Sequence, residues 1–292
     1  MIKLRSLPKL FRPVTLVAPA IGALFFGMMG IKDAGLSVYN SLPLLFLSGF
    51  ILAMTNAASN IMNQVFDVDI DRLHPIKKAR PVAAGNIKST DALSIAIFLM
   101  ILVIGLSAAF FKTAYVLSLT VIILFAWLYN CPPFLMKKRF VLSNIAIACP
   151  RGGLGIVCAY SAFANPFNPI MYVAIIYFAL YVFGTNTLKD FADEPYDKVA
   201  GVRNFVTLWG IEDASKFVAV FTVIPFMFLL AAAQFVNIST VSFLPMMLSF
   251  GMLYFLFRQA ERKSIEGNSF LWLIFYLQFS LMMILFALPR IL

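Results

Sequence analysis

Nine separated runs of apolar residues, each about as long as a bilayer is thick, constrain this chain more than any other feature. A helix needs roughly 20 mostly apolar residues to cross the hydrocarbon core. Runs of that kind lie near 14–31, 41–62, 91–110, 114–130, 144–163, 168–188, 214–235, 241–257 and 269–289, with breaks at Pro, Gly, Asn and charge clusters. The chain is therefore expected to be an all-α, polytopic transmembrane bundle in the lipid bilayer. Residues 1–292 are expected to form a single domain, because no hydrophilic stretch is long enough for a second one. Composition agrees, with 62% hydrophobic and 12% charged residues, against roughly 45–50% apolar usage in soluble domains. The N-terminal Lys3, Arg5, Lys9 and Arg12 ahead of an apolar stretch superficially resemble a signal peptide, but the run continues past Met29 and reads as the first span.

A formal net charge of +10 raises the question of nucleic acid. The basic residues, however, fall in short clusters between apolar runs with no long basic arm, so no nucleic-acid partner is expected. Their placement reads as orientation. With a cytoplasmic N-terminus, all of the 23 Lys and Arg except Lys32, Lys112, Arg151 and Arg290 fall on the cytoplasmic side, as the positive-inside rule requires for an odd number of spans. The N-terminus and every chemically rich loop are thus expected in the cytoplasm and the C-terminus on the opposite face of the cell membrane. Cys131, Cys149 and Cys158 are odd in number and without metal-ligand spacing, so neither a disulfide framework nor a zinc site is expected.

Two acidic clusters carry the chemistry. The first, Asn63-Gln-Val-Phe-Asp67-Val-Asp69-Ile-Asp71-Arg72, lies at the cytoplasmic end of the second span. If the helix continues into it, Asn63, Asp67 and Asp71 are spaced i, i+4, i+8 on one face. Carboxylates gathered at a membrane boundary repel one another and are costly to desolvate, which suggests a hard cation such as Mg²⁺; the bland alternative is a solvated helix end paired with Arg72, Lys77 and Lys78. The second cluster, Lys189-Asp190-Phe-Ala-Asp193-Glu194-Pro-Tyr-Asp197, ends the sixth span, and Asp67 to Asp193 and Asp71 to Asp197 are both offsets of 126 residues. Each D-x-x-x-D pair follows an apolar span and precedes a basic, Gly-containing loop, the pattern of an internal repeat that builds a site between two halves of a bundle. Two such clusters facing a cavity suit Mg²⁺-assisted departure of diphosphate from an allylic carbon, with neighbouring Lys and Arg on the phosphate oxygens and apolar walls around the hydrocarbon.

These residues resemble the UbiA superfamily of membrane prenyltransferases: Asn63-x-x-x-Asp67-x-x-x-Asp71 followed by Arg80-Pro81, then Lys189-Asp190-x-x-Asp193-x-x-x-Asp197-x-x-x-Gly201. The resemblance runs from Arg12-Pro13 to at least Gly210 and includes Tyr129-Asn-Cys-Pro132-Pro133 with Lys137, where Asn130 replaces the usual Ser. It implies nine spans around a central cavity open laterally to lipid. It also implies Mg²⁺-diphosphate held by Asn63, Asp67, Asp71, Asp193 and Asp197, with Asp190 as an additional acidic position. Arg12, Arg80, Lys137 and Lys189 are implied as diphosphate contacts. The partners so implied are a prenyl diphosphate donor and a lipophilic acceptor, first an aromatic quinone-type precursor, with a glycerol-phosphate lipid precursor or a chlorin or haem as alternatives.

Arg151, inside the fifth span, is expensive there unless it faces the cavity or an acid. Tyr129 is placed to shield a cation with its ring or to sit in an interfacial aromatic belt. His74, the one histidine in the chain, reads as a loop residue, since a lone imidazole is poor evidence for acid–base work. A transporter is the competing class, but copies four spans apart share one orientation and the acids lie at one face rather than the midplane.

Overall fold

The computed structural model describes residues 6–262 and 265–292; the expected basic anchors Lys3, Arg5 and Lys263 lie outside them. Among the described residues nine helices are long and apolar enough to cross a membrane. These are α1 (Pro13–Asp33), α2 (Val38–Phe66), α3 (Ser89–Phe110), α4 (Thr113–Asn130), α5 (Phe140–Ser161), α6 (Pro169–Asp190), α7 (Phe205–Ala232), α8 (Thr240–Ala260) and α9 (Asn268–Ile291). All nine coincide with the apolar runs.

The helices differ in how much of themselves they give to the interior. Helix α6 is 67% buried, whereas α3 and α8 are 28% buried, so α6 stands at the centre and the other two at the periphery. Tyr177, Phe178 and Tyr181 of α6 are fully buried. Phe178 meets Phe26 of α1 edge-on at 5.7 Å and Phe279 of α9 at 5.9 Å, distances typical of favourable aromatic pairs. Phe46, Phe98, Ile101, Leu117, Phe250 and Tyr254 point outward and are exposed. In water they would form an aggregation-prone surface; against lipid tails they cost nothing, and helix association falls instead to close packing of small residues. Gly152 shows this packing: a Cβ there would lie 2.7 Å from Ala179 Cα and from the Phe178 carbonyl oxygen, so only glycine lets α5 touch the backbone of α6.

Two spans are less regular than the hydropathy suggested. Pro150 cannot donate a backbone hydrogen bond, and α5 opens into a wide π-helical turn over Cys149–Leu154, a distortion that turns up often at functional sites. Helix α7 starts nine residues ahead of its expected apolar run, at Phe205 rather than 214, because Gly210 at φ +80° joins a short amphipathic segment to the main helix. At one end of the bundle the connections are short; at the other they carry the added helices Val68–Leu73 and Glu194–Val199 and both acidic motifs.

Candidate active site

The first motif remains nearly helical. Helix α2 ends at Phe66, Asp67 forms a kink at φ −107° and ψ 10°, and Val68–Leu73 resumes the helix. The i to i−4 hydrogen bonds Asp67 N to Asn63 O and Asp71 N to Asp67 O persist across the kink, so Asn63, Asp67 and Asp71 share a face as their spacing implied. The second motif keeps the register but not the backbone: the last residues of α6, Asn186–Asp190, tighten into a 3₁₀ turn, and Asp193 sits at the N-terminus of Glu194–Val199. Pro195 in the first turn of that helix explains its fresh start.

Both motifs open into one cavity of about 630 Å³. Its mouth is lined by Asn63, Asp67, Asp71, Asp190, Asp193 and Asp197, together with Lys137, Lys189, Arg80 and Arg12. Every residue singled out from sequence for the metal and diphosphate therefore lines this one cavity. The deeper part is apolar, with Ala18, Gly22, Leu52, Ile122, Phe125 and Met283, and Val14, which lines the cavity, is also exposed at the protein surface.

Four of the five aspartates of the mouth have a cation of their own. Lys137 Nζ is 2.6 Å from Asp67 Oδ1, Arg80 Nη1 bonds both oxygens of Asp71 at 2.9 and 2.8 Å, and Lys77 bonds Asp193. Lys189 Nζ is 3.8 Å from Asp190 Oδ1 and donates to the Tyr129 hydroxyl at 2.8 Å, so Tyr129 faces the site with its oxygen engaged. Lys77, which by sequence was matched to the first acidic cluster, instead crosses the mouth to the second motif. Asn63 donates to Asp67 Oδ2 at 2.6 Å, and Asn204 donates to Asp197 Oδ2 at 3.0 Å.

The electrostatics follow from burial and from these partners. Burial works against the Asp193 carboxylate, but Lys77 and His74 outweigh it and hold the carboxyl well below the usual range. Asp197 has no such cation; burial, then repulsion from Asp190 and Asp193, pushes it up to about 8. Burial raises Asp71 despite Arg80, and burial lowers Lys137 despite Asp67. Arg12 is lowered to about 10 by burial, with Arg80 and Arg151 adding to the effect. The mouth is thus poised between its charges, and a polyvalent ligand can reorganise it.

This architecture agrees with what the chain resembles in known proteins. A profile of the UbiA prenyltransferase family matches residues 16–274. The chain belongs to the UbiA prenyltransferase family. It is 28% identical over 213 residues to a digeranylgeranylglyceryl phosphate synthase of Methanocaldococcus jannaschii, covering 72% of this chain and 69% of the relative. It is 27% identical over 169 residues to a protoheme IX farnesyltransferase of Granulibacter bethesdensis, covering 56% of this chain and 52% of that one, so the chain spans about half the length of that curated relative. The fold is similar to that of a UbiA homologue from Archaeoglobus fulgidus solved with GPP and Mg²⁺, at TM-score 0.70 and 19% identity, covering 98% and 99% of the two chains. This membrane prenyltransferase is therefore an integral membrane protein with the fold its sequence implied.

Two sets of residues that shape the candidate site escaped the sequence reading. On α2 of the prenyltransferase, Asn56, Asn60 and Gln64 form a polar ladder on the face beside that of Asn63, Asp67 and Asp71. Gln64 donates to Leu10 O at 2.9 Å, Asn60 to Phe11 O at 3.1 Å and to Thr15 Oγ1 at 2.8 Å, and Asn56 to Thr15 O at 2.9 Å. From the other side Tyr276 of α9 donates to Thr15 O at 2.9 Å and accepts from Ala18 N at 3.1 Å. This clamp holds Arg12 in the left-handed region at φ 56° and ψ 67°, a conformation that costs a non-glycine residue about 1–2 kcal/mol. The signal was available as three amide side chains at four-residue spacing inside an apolar span.

His74 is the second. It is buried, and its Nδ1 accepts the backbone N–H groups of Ile76 at 3.1 Å and Lys77 at 3.2 Å, which puts the ring proton on Nε2. Nε2 lies 3.3 Å from Asp193 Oδ1, close but off the line of a good hydrogen bond, and the ring packs on Tyr196 at 4.5 Å. Reading it as a loop residue overlooked a link between the two motifs. Only the tertiary contact between loops 119 residues apart reveals it.

Proposed function

We propose that this enzyme transfers a prenyl chain from a prenyl diphosphate to a lipophilic acceptor with Mg²⁺, at the cytoplasmic mouth of the cavity. The observation that carries the reading is the pair of acidic motifs, each with its own cations, facing one another above an apolar chamber. Among the described residues no three His, Cys, Asp or Glu side chains converge tightly enough to cage a metal alone. That suits Mg²⁺, which commonly takes one or two carboxylates and fills its octahedron with waters and substrate phosphate oxygens. Asn63, Asp67, Asp71, Asp190, Asp193 and Asp197 would hold it through their side-chain oxygens. When bound, the metal supplies positive charge against which a diphosphate leaving group separates.

The chain's own residues do the rest. With the carboxylates engaged by the metal, Lys137, Arg80, Lys77 and Lys189, which bond them here, would be free to turn to the diphosphate oxygens. The allylic C1–O bond breaks with its electron pair leaving on diphosphate, the acceptor nucleophile bonds to C1, and the acceptor's proton passes to solvent at the mouth. The apolar chamber holds the hydrocarbon and keeps water from the allylic cation, while the half-buried Tyr129 presents a ring at the mouth. The concentration of basic loops at this end supports a cytoplasmic mouth. The relatives include a digeranylgeranylglyceryl phosphate synthase and a protoheme IX farnesyltransferase, so a glycerol-phosphate lipid or a haem stands beside a quinone precursor as acceptor.

Asp67→Asn and Asp193→Asn tested with geranylgeranyl diphosphate should lose Mg²⁺-dependent diphosphate release while circular dichroism stays that of the folded bundle. Near-normal release by both variants would sink the two-motif mechanism.

A further inference from the structure

Four of the five aspartates at the mouth are oriented by a cation, and Asp197 is the exception. Its one side-chain hydrogen bond among the described residues comes from Asn204, whose Nδ2 donates to Asp197 Oδ2 at 3.0 Å. Asn204 lines the same cavity and is 2% exposed. A neutral amide does here what lysine or arginine does for the other carboxylates.

The amide is fixed from behind. Asn204 caps α7: its Oδ1 accepts from Thr207 N at 2.8 Å, while its own N–H donates to Thr207 Oγ1 at 2.9 Å. This reciprocal box satisfies two donors that a helix start otherwise leaves open. Because Oδ1 must be the atom that accepts from the Thr207 N–H, the amide has one orientation, and Nδ2 is the donor left for Asp197. The frame that carries the cap is also held. Thr207 Oγ1 donates to Val202 O at 2.9 Å, Val202 N to Asp197 O at 2.9 Å and Arg203 N to Lys138 O at 3.2 Å. Phe205, next to Asn204, stacks on Phe217 at 4.1 Å and packs on Phe140 of α5 at 4.7 Å. Gly210, at φ +80°, breaks α7 just after this turn, so these contacts rather than helix continuity set where Asn204 stands.

The difference between the two kinds of partner matters once the mouth is loaded. Lys137, Lys77 and Lys189 carry their charges on long flexible stems, and a cation that turns to the diphosphate no longer orients its carboxylate. Asn204 has a short side chain, no charge to attract phosphate and a cap that keeps it in place. It also leaves the negative charge of Asp197 uncancelled for a metal.

We propose that Asn204 is a positioning residue of the second motif: it holds Asp197 by Oδ2 and leaves Oδ1, which carries no hydrogen bond among the described residues, for Mg²⁺, in the empty and the loaded mouth alike. The inference rests on the metal-binding role given to Asp197 above.

The test is calorimetric titration of Mg²⁺ into purified protein in non-ionic detergent with geranyl S-thiolodiphosphate, a donor analogue whose C1–S bond does not break, together with the melting temperature. Asn204→Gly removes the amide donor, while glycine is nearly as good an N-cap. It should raise the Mg²⁺ concentration for half-saturation by roughly tenfold, low in the range for a lost partner of a metal ligand, with the melting temperature close to that of the wild type. Thr207→Val breaks the other half of the box and keeps the amide; it should lower the melting temperature and leave the Mg²⁺ requirement within about twofold. In an Asp197→Asn background Asn204→Gly should add less than about twofold, because it acts through that carboxylate. The proposal is overturned if Asn204→Gly keeps the wild-type Mg²⁺ requirement, if Thr207→Val raises it as much, since the cap would then be the whole role, or if the double variant shows both losses in full. Absence of Mg²⁺-dependent analogue binding by the wild type would overturn the metal reading itself and this inference with it, whereas a failure confined to the variants overturns this inference alone.

Discussion

Replacing His74 separates two jobs that one imidazole performs. Its Nδ1 caps the loop by accepting from Ile76 and Lys77, and its Nε2 faces Asp193 at 3.3 Å. Asparagine at this position places Oδ1 where Nδ1 was and keeps the cap as an Asx turn, but its side chain ends short of Asp193. The contact is off the line of a formed hydrogen bond, so it is worth at most about 1.5 kcal/mol, the lower bound for a bond to a charged group. At about 1.4 kcal/mol per decade, His74→Asn should raise the Mg²⁺ concentration for half-maximal diphosphate release by up to roughly tenfold, the lower end of what is expected for losing a partner of a metal ligand. Glutamine reaches further and carries an N–H donor, so His74→Gln should recover part of the loss even though it caps the loop less well. The assay is a Mg²⁺ titration of diphosphate release at saturating geranylgeranyl diphosphate, with thermal melting as a control on folding. A Mg²⁺ requirement for His74→Asn within twofold of wild type would refute the link to Asp193, and equal impairment of both variants would mean that loop capping is the whole role.

Asn60→Ala removes two bonds to the segment bearing Arg12, which should cost about 1–2 kcal/mol; an unchanged melting temperature would show that the clamp is unimportant. Gly152→Ala places a Cβ 2.7 Å from the α6 backbone and should destabilise by about 1–3 kcal/mol through overpacking, read as a lower melting temperature in detergent, and a variant as stable as wild type would contradict the close approach. Because the Asp197 carboxyl is raised to about 8 and a metal ligand must shed its proton, Mg²⁺ affinity should rise as pH climbs from 7 to 8 and level off above. Asp197→Asn should flatten that rise in calorimetric Mg²⁺ titrations; an equally steep profile in the variant would assign the proton to another group.

What the sequence determined by itself was decided by local and additive physics. Nine spans follow from the length of apolar runs, because a bilayer demands about 20 such residues whatever their neighbours are. The acidic positions were legible because like charges at a membrane boundary need an explanation, and the shared offset of 126 residues from Asp67 to Asp193 and from Asp71 to Asp197 supplied one. The helical face of Asn63, Asp67 and Asp71 followed from 3.6 residues per turn and survived the kink at Asp67. Pairing across space was not legible. That Lys77 serves Asp193, that His74 joins the two motifs, and that Asn56, Asn60 and Gln64 hold the strained Arg12 depend on which helices lie side by side. Hydropathy cannot report this, because lipid and protein interior are equally apolar. Arg151 shows the division most plainly: its sequence position said only that a charge in a span must have a reason, and the turn at Pro150 together with Tyr276 and the cavity wall decided what the guanidinium faces.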